Sequence, residues 1–492
     1  MVMKKRRVIV TLLVLCSFFL TTTTTSFAKG VQQPTYPKYT KNATITWWTW
    51  TANPDKVIAA FNKEYPNIKV DHPLIGSGNA EYNKLTTAIK AGAGAPDVVQ
   101  IEYQYIPKFV DTGGILDISK YVKQYESYFQ PWTWNQVKQG SKIYAIPEDI
   151  GPLALLYRPD IFEKYNLAVP KTWDEFATEA EKLHKQNPDM YMSYFPVNDG
   201  GFITGLLWQA GARPFTKTSK GWEINLNSPE AKKVINFWGD LIKKGVVHAT
   251  NDWNPQWQSN IGKGLYASVS GAAWSPTYMI QPYVKKGTDN WNAADIPQWE
   301  ANGEFVDGNW GGSTNAVTTQ SKYPEAAALF ASWINTSAAA EKLDVTDTTK
   351  GGRGQVPGNK YGIQQSEMNA PNPALKNQIS GPIYAKAAAS VDTSYQWSPW
   401  TDYVYNQMTI EFTKAAGGEQ TWDQALDNLQ NEVTVFAKSA GYKVVSKGAE
   451  SSTKQPLAAL NTPALPVVII LVVIALIIWF LKRRQSSLEI EL

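Results

Sequence analysis

The sequence predicts an α/β protein of more than one compact unit, carried outside the cell on a membrane anchor. Three observations predict this. At 492 residues the chain exceeds what one hydrophobic core organises, so two or more units are expected. Residues 43–70 read strand, loop, helix, strand, the repeating unit of an α/β fold. The two ends carry apolar segments of different kinds, one shaped as a cleaved leader and the other as a membrane span.

The β-branched and aromatic residues at 45–48 suit a buried strand. Asn53 can cap a helix whose first position is Pro54, where the missing N–H costs nothing. Val57, Ile58, Phe61 and Tyr65 then recur at helical spacing, and Pro66-Asn67 breaks the helix before a strand opens at Ile68. Residues 81–90 form a second helix with Tyr82, Leu85 and Ile89 on one face, and 97–101 a third buried strand ending in Glu102-Tyr103. The alternating stretch 142–149 is a strand passing into a crossing segment, and 153–157 is a fully apolar strand. Thr172-Trp-Asp-Glu175 and Thr421-Trp-Asp-Gln424 are capping boxes. Ser228-Pro229-Glu230 starts a helix whose buried stripe includes Val234, Ile235, Trp238 and Leu241 and which Gly245 ends. Residues 202–208 are an apolar run, 265–271 a strand with Trp274 just past its end, 309–317 a Gly-rich turn entering a strand, and 324–334 an Ala-rich helix.

Residues 1–28 combine a basic start, an apolar core at 8–20 and the small-x-small site Ser26-Phe27-Ala28, so cleavage after Ala28 is expected. The single cysteine, Cys16, lies in that core; Leu15 before it is too large for the usual lipid-attachment pattern. A mature chain without cysteine excludes disulfides, thiolate catalysis and cysteine–metal sites. Residues 444–463 read as a Ser/Thr/Pro-containing tether, 464–481 as a transmembrane helix of about 27 Å, and 482–492, opening Lys482-Arg483-Arg484, as a cytoplasmic tail. The charged ends account for the formal net charge of +4, so the body is near neutral and gives no electrostatic case for nucleic acid. The three histidines show no metal spacing, and no Gly-x-Ser-x-Gly or His-Glu-x-x-His motif is present.

Trp47-Trp48, Phe61-Asn-Lys-Glu-Tyr-Pro66, Gly94-Ala-Pro-Asp-Val-Val99, Lys142-Ile-Tyr-Ala-Ile-Pro147 and Leu156-Tyr-Arg-Pro-Asp160 come in a telling order. Pro170-Lys-Thr-Trp-Asp-Glu-Phe176, Gly271-Ala-Ala-Trp274 and Gly311-Gly312 follow. Through them the chain, over residues 43–443, resembles the sugar-type extracellular solute-binding proteins of ABC importers, the maltose-binding-protein-like class. The resemblance implies a two-lobed periplasmic-binding-protein-like fold with a hinge and a cleft between lobes. Residues 43–146 with 308–355 would form the N-terminal lobe and 147–307 with 356–443 the C-terminal lobe. It implies a non-enzymatic monomer without cofactor or metal, which closes on a sugar and delivers it to an ABC permease. The C-terminal span departs from the family's usual forms and would hold the body outside the membrane.

A sugar presents an apolar CH face and a rim of hydroxyls, so its site needs aromatic platforms and many polar partners. Ligands of α/β sheets bind at the carboxyl ends of strands. Trp48 or Trp50 follows the first strand and Tyr103 the third. Glu148 and Asp149 sit at the first crossing, where adjacency lets only one face the cleft. Trp274, Trp310 and Arg353 sit on later edges, and Arg353 in Gly351-Gly-Arg-Gly reads equally as a surface loop residue. Trp397 and Trp400 lie where the resemblance implies a stacking aromatic. For each Trp, core packing is the competing role, and Trp47 and Trp238 are assigned to it. Two other functions keep the same surface location: a carbohydrate sensor or adhesin with this fold, and a glycosidase. The glycosidase would need two opposed carboxylates that Glu148 with Asp149 does not supply.

Overall fold

A computed structural model describes residues 34–284 and 290–445. The leader with Cys16, all but the first two tether residues, the 464–481 span and the 482–492 tail lie outside the described residues. Among the described residues no helix is long and apolar enough to cross a membrane.

Two sheets organise the chain. The first has the order Ile68–Asp71, Ala43–Trp48, Val98–Glu102, Ser313–Val317, Ala145–Pro147. Its first three strands are parallel, with helices Pro54–Glu64 and Asn79–Ala91 as crossovers, and the last two join antiparallel. Helices on its faces bury the central strands Val98–Glu102 and Ser313–Val317 on both sides, whereas the edge strand Ile68–Asp71 alternates buried and open positions. Trp47 packs edge-on against Phe330 at 5.2 Å and gives its indole N–H to Asn315 Oδ1 at 2.9 Å. Without that partner a buried N–H would cost roughly 1–3 kcal/mol.

In the second sheet Leu153–Tyr157 runs between Ser268–Ala272 and Asn292–Asp295, antiparallel to both. Backbone bonds from Ala267 and Ser268 to Tyr191 and Met192 carry it on to the parallel pair Ser193–Pro196 and Val247–Thr250. Its core is aromatic: Trp173 and Trp238 meet at 5.5 Å, with Phe176 and Trp299 against them.

Three segments pass between the sheets side by side. Glu148 N–H bonds Ser313 O, Ile150 N–H bonds Val356 O and Trp310 N–H bonds Gly151 O, each at 2.8 Å. Contact is so close that a Cβ on Gly151 would lie 1.9 Å from Trp310 O. Gly312, with φ +82°, makes the turn that returns the chain to the first sheet.

Some local readings give way to tertiary contacts. Asn53 starts its helix at φ 51° without a side-chain cap bond; its amide instead donates to Thr348 O and Gly352 O. Thr421 and Gln424 form the full capping box. Thr172 accepts from Glu175 N–H, but the Glu175 carboxylate bonds Lys171 N–H, one residue earlier than a box requires. The 202–208 run is the helix Gly200–Gln209, apolar because it is buried on every side. Val444–Val445, assigned to the tether, pairs in parallel with Trp222 and Glu223.

Candidate functional site

The carboxyl ends of both sheets open into one cavity of about 650 Å³. The first sheet supplies Glu102 at the end of Val98–Glu102 and Tyr105 just beyond, with Tyr82 from helix Asn79–Ala91. Tyr82 donates its O–H to Glu102 Oε2 at 3.0 Å and its ring lies 4.3 Å from that of Tyr105. Burial pushes the Glu102 carboxyl up to about 7, against the opposing hydrogen bonds of Tyr82 and Gln104.

The second sheet supplies the opposite wall. Asp199 follows Ser193–Pro196, Asp252 and Trp253 follow Val247–Thr250, and Trp274 follows Ser268–Ala272. Trp310 and Gly311, on a crossing segment, complete the lining. Trp274 gives its indole N–H to Trp310 O at 3.0 Å, and the two rings meet at 4.8 Å. Trp253 lies 6.1 Å from Trp274, is 44 % exposed and has φ 55°. That backbone conformation costs about 1–3 kcal/mol for a bulky residue and persists only where its surroundings enforce it. Tyr405, a turn inside helix Thr401–Ala416, brings its hydroxyl to the same wall beside Thr204. At the rim Lys108 Nζ meets Asp402 Oδ2 at 2.8 Å, joining the two walls. Three indoles, three tyrosine rings and a polar remainder suit a ligand with both apolar faces and hydroxyl edges. Among the described residues no group of three or more His, Cys, Asp or Glu side chains could hold a metal ion.

Of the residues expected from sequence, Trp274 and Trp310 line this cavity. Trp50 stands one shell back, its ring edge-on to Tyr82 at 6.1 Å. Trp48 is buried in the first sheet, and Tyr103 packs against Trp132 at 6.0 Å. Neither Glu148 nor Asp149 lines the cavity: Glu148 pairs with Arg353 at 2.9 Å, and Asp149 accepts from Ser313 N–H at 2.7 Å. Arg353 is neither a ligand residue here nor a surface loop residue; it is 1 % exposed, held between Glu148 and Asp344. A buried guanidinium requires such partners, and they occupy its donors. Trp397 lines a separate cavity of about 760 Å³ with Tyr144 and Trp222, and Trp400 is packed by Phe215, Trp222 and Tyr442.

The sequence reading missed Glu102, Asp199, Asp252, Trp253 and Tyr405. For Glu102 the signal was its place as the last residue of the third strand, since Tyr103 already opens the 3-10 turn Tyr103–Tyr105. For Tyr405 it was helical phase, since Trp400 is the cap and Tyr405 lies a turn inside.

The family model described as bacterial extracellular solute-binding protein matches residues 39–341. The arabinooligosaccharide-binding protein of Halalkalibacterium halodurans is 23% identical over 61% of this chain and 69% of its own. The diacetylchitobiose binding protein DasA of Streptomyces coelicolor is 24% identical over 73% and 81% respectively. Among solved structures, an ABC transporter associated binding protein of B. animalis subsp. lactis in complex with β-1,6-galactobiose is 27% identical. It superposes with TM-score 0.71 over 82% of this chain and 100% of that one. The galacto-N-biose-/lacto-N-biose I-binding protein of Bifidobacterium longum, in complex with lacto-N-biose, has TM-score 0.72 at 24% identity, over 83% and 100%. These relatives are binding proteins and not enzymes.

Proposed function

The chain belongs to the bacterial extracellular solute-binding protein family and has a two-domain periplasmic-binding-protein-like α/β fold; from that premise we propose that it captures an oligosaccharide between its domains for an ABC importer. One observation carries the reading: a single cavity gathers Trp253, Trp274 and Trp310 with Glu102, Asp199 and Tyr405. Rings take the CH faces of a sugar and the polar groups its hydroxyls. Residues 43–146 with 308–355 form one lobe in this reading and 147–307 with 356–443 the other. The 464–481 segment anchors the protein, so that it hands its ligand to the permease as a tethered monomer. Trp253, Trp274, Trp310 and Tyr405 replace Trp48, Trp397 and Trp400 as the proposed stacking residues.

The test is a thermal-shift screen of the purified chain against β-1,6-galactobiose, lacto-N-biose, arabino-oligosaccharides and maltose. A ligand at a hundredfold over its Kd adds about 2.7 kcal/mol of stability, a shift easily read. A panel without a shift and without calorimetric heat sinks the sugar reading.

A further inference from the structure

Two acids stand together in the second wall of the cavity. Ser193–Pro196 and Val247–Thr250 are parallel neighbours, so the loops leaving their carboxyl ends emerge side by side. Asp199 lies on one loop and Asp252 on the other. Asn198 Oδ1 accepts from Asp252 N–H at 2.9 Å and pins the loops together. Asp199 is rich in donors: Phe202 N–H at 2.8 Å, Gly201 N–H, and the indoles of Trp253 and Trp310. Asp252 is 3 % exposed, and among the described residues its carboxyl meets the Asn198 amide and the Asp199 carboxyl but no charged donor.

An ionised Asp252 would be a buried, unpaired charge beside a second carboxylate, a strongly unfavourable arrangement. Among the described residues no cation relieves it. The groups that face the pair are Glu102 and Tyr105 across the cavity and Tyr194 beneath, while Lys108 at the rim is held by Asp402. Of two carboxyls in contact, one keeps its proton. Asp199, with its donors, is the one that holds the charge.

We propose that Asp252 is a positioning residue: a neutral acid that gives its O–H to Asp199, fixing a carboxylate that in turn holds Trp253 and Trp310 at the cavity wall. Burial, then the charge of Asp199, raise the pKa of Asp252 well above the ordinary carboxyl range, as this role requires. The left-handed backbone of Trp253 gains the external hold it needs from its indole bond to Asp199. Loss of the Asp252 proton would set two negative charges in contact and free the indoles. Ligand affinity therefore falls as pH rises through the titration of Asp252. Only the ligand readout of this inference rests on the sugar-binding reading.

The experiment uses the full chain, its Asp252→Asn and Asp252→Leu variants, and β-1,6-galactobiose as probe. Asn keeps a donor toward Asp199; Leu keeps bulk and removes it. Infrared difference spectra of wild type against Asp252→Asn, without sugar and at neutral pH, should show the carbonyl stretch of one protonated carboxyl. Calorimetry should find Asp252→Asn within about threefold of wild type and free of the alkaline loss, and Asp252→Leu weakened about tenfold or more. Absence of the infrared band overturns the proposal, as does an equal effect of Asn and Leu. A wild-type chain that shows the band and binds no galactobiose supports the proton assignment and counts against the sugar reading.

Discussion

Trp274 and Trp253 present ring surface to the cavity while remaining partly exposed, so their removal should cost affinity more than stability. Trp274→Ala is expected to weaken sugar binding by about 1.5–3 kcal/mol with little change in Tm, read by calorimetry and thermal melting on one preparation. Trp400→Ala should do the reverse. At 2 % exposure among Phe215, Trp222 and Tyr442, it should lose about 3–5 kcal/mol of stability and leave the affinity of the folded protein near wild type. Glu102 gives a pH test. Its folded carboxyl titrates near 7, above its unfolded value, so the folded state holds the extra proton between about 4.5 and 7. Stability from this group is full below that window and falls as pH rises through it, by about 3 kcal/mol. Glu102→Gln should flatten that slope in denaturant midpoints taken from pH 4.5 to 8. The sequence shows that the third strand ends at a ligand edge but points to Tyr103 rather than Glu102, because the 3-10 turn Tyr103–Tyr105 that carries Tyr103 into the core is too short to leave a pattern.

Helices were legible where a cap and an apolar stripe agreed. Pro324–Ile334 has the bounds its pattern implies, and Pro229–Lys243 begins at Ser228, whose hydroxyl accepts from Ala231 N–H. The strands Ser193–Pro196 and Val247–Thr250 are four residues each, too short to show a period, and Asp199 and Asp252 stand in the loops that follow them. The two Thr caps give a comparison. Thr421→Ala and Thr172→Ala each remove one hydroxyl bond to a backbone N–H and should cost about 0.5–2 kcal/mol, while Gln424→Ala removes the returning bond to Thr421 N–H and should cost about 0.5–1 kcal/mol, by urea denaturation. A Gln424→Ala variant as stable as wild type would show that the returning bond adds nothing.

Across the whole molecule, the crossings were readable as glycine and proline punctuation, but their chemistry was not. Arg353 sits in a glycine-rich stretch that looks like surface, yet it fastens Glu148 on the first crossing to Asp344 on helix Ala338–Val345. Its partner Glu148 lies 205 residues away, so no local pattern could announce the pair. Arg353→Met should leave two buried acids unpaired and cost about 3–5 kcal/mol, measured by thermal or urea unfolding. In the proposed reading, saturating sugar should also contract the molecule, and an unchanged scattering profile would count against hinge closure.

Strand Ser313–Val317 lies between Val98–Glu102 and Ala145–Pro147, inside a sheet whose other members all precede residue 148. Until that strand arrives, both neighbours present bare hydrogen-bonding edges. Chain emerging from a ribosome or a translocation pore therefore cannot complete its first domain while the second is still being made. The intervening residues must reach 313–317 before the sheet can close, and the loop-closure entropy for so distant a pairing is met before any ladder forms. Folding is consequently late and joint, and the half-made protein is a sheet with two open edges, a species that needs shielding from others like itself.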